Sequence, residues 1–264
     1  MKNILVPVGN TENGINNLKY AVNFAAMCGA KVYLINIYKE FSKAGGLGKV
    51  TQMAIEDNEQ QLQEVMDAVD TQGVEVISRP IKGNPFEGIS RISKQLEIDL
   101  IIMSPQSVEI KDEVYLGAIT GKLVKQTDTP MLIVPRGYLF RKSETILLAL
   151  KHTKFDKEGV LDPLMDMLRI FSAKLNVLRV VTPDVADEEN VMDAELEPLI
   201  SEYTESQNAT IYQGVLEHFQ SANPDMLCVM RRKRGFFKKL MESNAVFKKD
   251  FYTKKPLLIL CGEQ

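Results

Sequence analysis

Apolar positions along this chain fall into two alternating rhythms. Runs such as Asn3-Ile4-Leu5-Val6-Pro7-Val8 and Ala30-Lys31-Val32-Tyr33-Leu34-Ile35 are nearly continuous in apolar side chains, as strands covered on both faces of a parallel sheet are. Between them Ile15, Leu18, Val22, Ala25 and Ala26 recur at the spacing of one helical face. A polar stretch from Val50 to Gln72 predicts a long helix, followed by a strand over Val74–Ser78. Asn84 then offers a cap side chain and Pro85 the preferred first helical residue, ahead of a stripe of Phe86, Ile89, Ile92 and Leu96. Strands alternating with helices predict parallel βαβ units with right-handed crossovers.

The pattern then repeats at domain scale. Thr145-Ile146-Leu147-Leu148-Ala149-Leu150 matches the first strand, and Leu161, Leu164, Met165, Leu168 and Phe171 supply the helical face after it. Ala173-Lys174 opens a second strand just as Ala30-Lys31 does. Asp99-Leu100-Ile101-Ile102-Met103 pairs with Asp225-Met226-Leu227-Cys228-Val229, and Thr129-Pro130-Met131 with Lys255-Pro256-Leu257. The step from aspartate to proline is 31 residues in both copies. A repeat of this length is a duplicated domain, not a solenoid. It divides the chain into residues 1–137, a linker over 138–144 and a second copy over 145–264.

Composition narrows the class without naming it. With 264 residues, 45% hydrophobic and 25% charged, the chain is long enough for two cores of its own. No apolar run is long enough to span a bilayer, and the start reads directly into a strand, so the expectation is a cytoplasmic protein without membrane contact. Cys28, Cys228 and Cys261 lack any CxxC spacing and read as reduced thiols, and His152 and His218 stand apart from them, against a zinc site. Gly45-Gly46-Leu47-Gly48-Lys49 has the wrong order for a phosphate loop and reads as a connection.

Taken together, the opening Ile4-Leu5-Val6-Pro7-Val8, the Asp99–Met103 strand and the final Thr129-Pro130-Met131-Leu132-Ile133-Val134-Pro135 resemble the universal stress protein family. The resemblance covers nearly the whole chain. It implies an α/β fold of two tandem Rossmann-like domains of the adenine-nucleotide-hydrolase-like type, each a five-stranded parallel sheet flanked by helices. It implies further that they pack as an intramolecular pseudo-dimer with their last strands near the interface, leaving homodimerisation of the whole chain open. The family's members are stress-response regulators, and some bind ATP.

The ATP-binding members carry, after the fourth strand, glycine, two residues, glycine, nine residues, then glycine with serine or threonine. Such glycines let the backbone approach phosphate, and a helix N-terminus receives the anion. Here Ser104 and Ser107 stand at the first two glycines, Gly117 and Ala118 at the last pair, and Thr120 is a nearby hydroxyl. Where nucleotide-binding relatives carry aspartate after the first strand, this chain has Gly9, between Val8 and Asn10. By resemblance, a first-domain ligand, ATP or AMP, would meet Val8, Gly9, Asn10, Ile37, Met103, Ser104, Ser107, Gly117, Ala118 and Thr120. The leading expectation is a regulatory or binding protein with an eroded nucleotide site, acting through a protein partner or small ligand. The alternative is an ATP-binding switch in the first domain. An ATPase reading lacks an evident general base or metal carboxylate beside the loop.

The second copy departs further, with Met230, Lys233 and Ser243 at the loop positions and Lys151 opposite Gly9. Its charge is uneven: no lysine or arginine lies between Arg179 and Arg231, and a basic run follows. Arg231, Arg232, Lys233, Arg234, Lys238 and Lys239 form a candidate anion or partner patch, with Phe236 and Phe237 beside it. No nucleic-acid fold signature accompanies the charge, so nucleic acid is not the expected partner.

Overall fold

The structure, a computed structural model, describes residues 1–38, 47–105, 114–155, 157–183, 191–231, 246–247 and 253–262. The first half runs β1 (Asn3–Val8), α1 (Thr11–Cys28), β2 (Lys31–Tyr38), α2 (Leu47–Asp67), β3 (Val76–Lys82), α3 (Pro85–Gln95), β4 (Leu100–Met103), β5 (Val114–Leu116), α4 (Ala118–Gln126) and β6 (Met131–Ile133). The second runs β7 (Thr145–Leu150), α5 (Asp162–Phe171), β8 (Lys174–Val181), a 3-10 turn (Glu197–Leu199), β9 (Ile200–Gln207), α6 (Ile211–Ala222), β10 (Met226–Arg231), β11 (Val246–Phe247) and β12 (Leu257–Cys261).

Each half contributes five parallel strands, in the orders β3-β2-β1-β4-β6 and β9-β8-β7-β10-β12. The two last strands, β6 and β12, pair antiparallel through Leu257 with Ile133, Leu258 with Leu132 and Ile259 with Met131. The result is a single ten-stranded sheet with the seam at its centre. A second antiparallel pair, β5 with β11, crosses between the halves as well. The sequence did not announce that ribbon, since runs of two and three residues carry no periodicity.

Both faces of the sheet are covered, which is why its strands read as continuous apolar runs. Leu18 and Phe24 of α1, Leu62 and Val65 of α2, and Leu164 and Met167 of α5 pack on one face. Ile89 of α3, Leu123 and Val124 of α4, and Val215 of α6 pack on the other. The connecting residues Tyr138 and Phe140 are half-buried against the core. Phe140 sits edge-on to Tyr20 of α1 at 5.1 Å and tilted toward Phe171 of α5 at 6.3 Å, so this segment ties one helix of each half together.

The internal repeat is visible in its hydrogen bonds. Asp99 accepts the backbone N–H of Asn3 at 2.9 Å, and Asp225 accepts those of Glu144 and Thr145 at 2.9 and 3.3 Å. In each half a carboxylate ahead of the fourth strand pins the start of the first. The sequence reading needs three adjustments. Ala26 and Met165 are exposed, and Met167 takes the core place instead. The third strand starts two residues later than expected and runs on through Pro80 to Lys82, which the sheet edge tolerates. Gly48 and Lys49 lie in the first turn of α2.

Candidate functional site

The strand order β2-β1-β4 reverses direction of travel beside β1, and ligands of open α/β sheets bind at the carboxyl ends of strands at such a point. Val8 ends β1, with Gly9 and Asn10 exposed beyond it. Asn36 is the Cα partner of Val8 in β2, with Ile37 next to it, and Met103 and Ser104 end β4. Helix α4 connects β4 to the parallel β6, so it runs back along the sheet and starts, at Gly117, over this same edge. The described site residues of the first half are therefore brought to one edge of the sheet, the carboxyl ends of β1, β2 and β4. Ser107 lies outside the described residues.

The side chains there are largely committed to the fold. Asn10 caps α1, its Oδ1 accepting the N–H of Asn13 at 2.9 Å. Ser104, fully buried, donates its hydroxyl to Asn17 Oδ1 of α1 at 2.6 Å. The hydroxyl that the loop spacing aimed at a phosphate is thus turned into the core. Asn17 Nδ2, also buried, has no partner. Asn36 donates to Gln61 Oε1 of α2, and Gln61 donates in turn to Thr11 Oγ1 at 3.5 Å. Met103 and Thr120 are wholly buried, and Ala118 is exposed.

Gly88, in the first turn of α3, lies against Ile37 so closely that a Cβ there would stand 3.1 Å from its Cδ1. Helix α3 therefore packs on a side chain expected to meet the nucleotide. In the second half Gly214 of α6 repeats the contact on Val180, with a Cβ distance of 2.9 Å, and 2.5 Å to Asn208 Oδ1. Both glycines are the fourth residue of their helices, a signal the sequence carried and the motif reading passed over. Gly117, by contrast, caps α4 and makes no side-chain cap bond of its own.

Arg231 is not an exposed patch residue. It is buried, and it donates to the carbonyl of Lys125 at 2.8 Å and to Asp128 Oδ1 at 3.3 Å, joining the end of β10 to the carboxyl end of α4 in the other half. A guanidinium in that place complements the α4 dipole as well as the aspartate. Beside it Cys261 donates its thiol to the carbonyl of Thr127 at 3.4 Å. Burial, partly offset by Arg231, pushes that thiol up to about 11. Arg232, Lys233, Arg234, Lys238 and Lys239, with Phe236 and Phe237, fall outside the described residues. Burial likewise raises Cys28 and Cys228, so none of the three thiols is an activated nucleophile.

A duplicated, doubly wound α/β sheet of this strand order defines the class of Rossmann-like folds. Within that class the universal stress protein family model matches residues 1–135, half of the chain, and the chain belongs to that family. Two universal stress proteins of Methanocaldococcus jannaschii are 21% and 24% identical to it, each over 51% of this chain and over 82% and 95% of their own lengths. The fold extends over both halves in a universal stress protein structure from Archaeoglobus fulgidus. That structure superposes with a TM-score of 0.67 at 16% identity, over 99% of this chain and 97% of its own. A structure from Pseudomonas aeruginosa superposes with a TM-score of 0.60 over all of this chain and 94% of its own. Among the described residues no helix is long and apolar enough to cross a membrane.

Proposed function

We propose that this chain is a stress-response regulatory or binding protein of the cytoplasm that works through a protein partner or small ligand, its first-half nucleotide site closed by substitution. The observation that carries this reading is the Ser104–Asn17 hydrogen bond. A glycine at position 104 offers a bare backbone to phosphate; the serine spends its donor on Asn17 inside the fold and has none left for an anion. The cover of α3 over Ile37 and the capping role of Asn10 point the same way.

One observation favours the second reading, an ATP-binding switch in the first half. The nine-residue helix α4 begins at Gly117 without a side-chain cap, and a helix N-terminus is the kind of place that receives an anion. Isothermal titration of the full chain with ATP, ADP and AMP, with and without magnesium, separates the two. The proposal predicts no heat of binding up to millimolar nucleotide. Saturable micromolar binding that Gly117→Trp abolishes overturns it in favour of the switch.

A further inference from the structure

The two halves place different chemistry at one equivalent position. In the first, Asn36 of β2 is the Cα partner of Val8, the last residue of the central strand; in the second, Arg179 of β8 is the Cα partner of Leu150, likewise the last. Asn36 is neutral and satisfied, because α2 lowers Gln61 onto it. Arg179 is a charge with only 8% of its side chain exposed. Between β8 and β9 the described residues hold a single 3-10 turn, Glu197–Leu199, in place of a helix like α2.

An arginine carries five N–H donors. Arg179 uses one, from Nη1 to Glu205 Oε1 at 2.9 Å. Its Nε is buried without a partner, and among the described residues no hydrogen bond is made by Nη2. The unused Nε–Nη2 edge is the side of a guanidinium that takes two oxygens of one oxyanion at once. Glu205 does not fill that edge: it is 43% exposed, meets the guanidinium through one oxygen, and shares that oxygen with the hydroxyl of Tyr203 at 2.6 Å. A buried cation with an open fork is costly unless something completes it.

We infer that Arg179 anchors an oxyanion-binding site at the carboxyl ends of β7 and β8, taking a phosphoryl or carboxylate group side-on through its Nε–Nη2 edge. The site is separate from the first-half crevice and needs no glycine loop. It gives the second half a ligand chemistry of its own, that of a small anion instead of a nucleotide cradled by backbone.

The test uses the full chain with sodium phosphate and with sodium succinate, each against sodium chloride at matched ionic strength. Calorimetric titration and the thermal midpoint are the readouts. Phosphate or succinate is expected to bind saturably and raise the midpoint, and whichever binds tighter assigns the group. Arg179→Lys, which keeps the charge and removes the fork, should weaken binding at least about tenfold. Glu205→Gln, which removes the competing carboxylate, should tighten it, and this arm stands even if the lysine variant folds poorly. Gly117→Trp should leave it unchanged, which keeps the result independent of nucleotide binding in the first half. Silence of both anions at ten times physiological phosphate, or equal binding by wild type and both Arg179→Lys and Glu205→Gln, overturns the assignment.

Discussion

Ser104 donates to Asn17 across 87 residues of sequence, and both side chains are fully enclosed. The bond fastens the end of β4 to α1 beneath the crevice. Ser104→Ala leaves the Asn17 amide buried with neither of its polar atoms paired, at a cost of about 1–3 kcal/mol. Adding Asn17→Ala to it removes the orphan, so the double variant should be more stable than the sum of the two single changes by about 1 kcal/mol. Urea unfolding of the four proteins measures this coupling directly. Additive effects would show that the two side chains act independently.

Gly88 and Gly214 invite a comparison between the halves. Alanine is the better helix former by about 1 kcal/mol, yet each added methyl meets a neighbour. At Gly88 the contact is the tip of Ile37 at 3.1 Å, which can turn aside. At Gly214 two groups crowd the methyl, Asn208 Oδ1 at 2.5 Å and Val180 at 2.9 Å. Gly88→Ala should therefore be close to neutral, and Gly214→Ala should destabilise by about 1–3 kcal/mol. Equal thermal midpoints for the two variants would show that α6 moves aside as readily as α3.

Cys261 sets an alkaline limit. Its thiol is raised in the folded chain from the ordinary 9.0 to about 11, chiefly by burial. Below pH 9 folded and unfolded chains hold this proton alike, and the group contributes no slope. As pH rises from 9 toward 11 the unfolded chain ionises first, so stability falls across that window. Cys261→Ala should flatten part of the fall, measured as the thermal midpoint between pH 7 and 11. An unchanged slope would assign the alkaline loss to other groups. For the same reason iodoacetamide at pH 8 should label Cys261 far more slowly before unfolding than after it.

What the sequence disclosed was whatever it states twice. Asp99 and Asp225, each ahead of an apolar run and 31 residues before its proline, align by sequence and spacing, and both hold the start of a first strand. Helix α3 was announced by Asn84 and Pro85, and Asn84 does accept the N–H of Phe86 at 3.0 Å. The crevice was harder. Asn17 looks like one more polar residue of a helix until the fold sets Ser104 against it, and no local pattern connects positions so distant. Arg231 read as part of a basic run because charge in a sequence has no direction. The fold turns it inward to Lys125 and Asp128. Arg179 was visible as an arginine inside the apolar run Leu175–Val181, but its meaning comes from register with Leu150.

The antiparallel pairing of β6 with β12 has a consequence for how such a chain can change. Two identical subunits meeting across that seam would have to complement themselves, so every substitution would appear on both sides at once. Joined in one polypeptide, the halves find each other at an effective concentration fixed by the tether, whatever the abundance of the protein. Each side is then free to vary alone. Asparagine at 36 and arginine at 179 are what that freedom looks like: one architecture, held together by its own covalent continuity, with a different side chain at the equivalent position of each half.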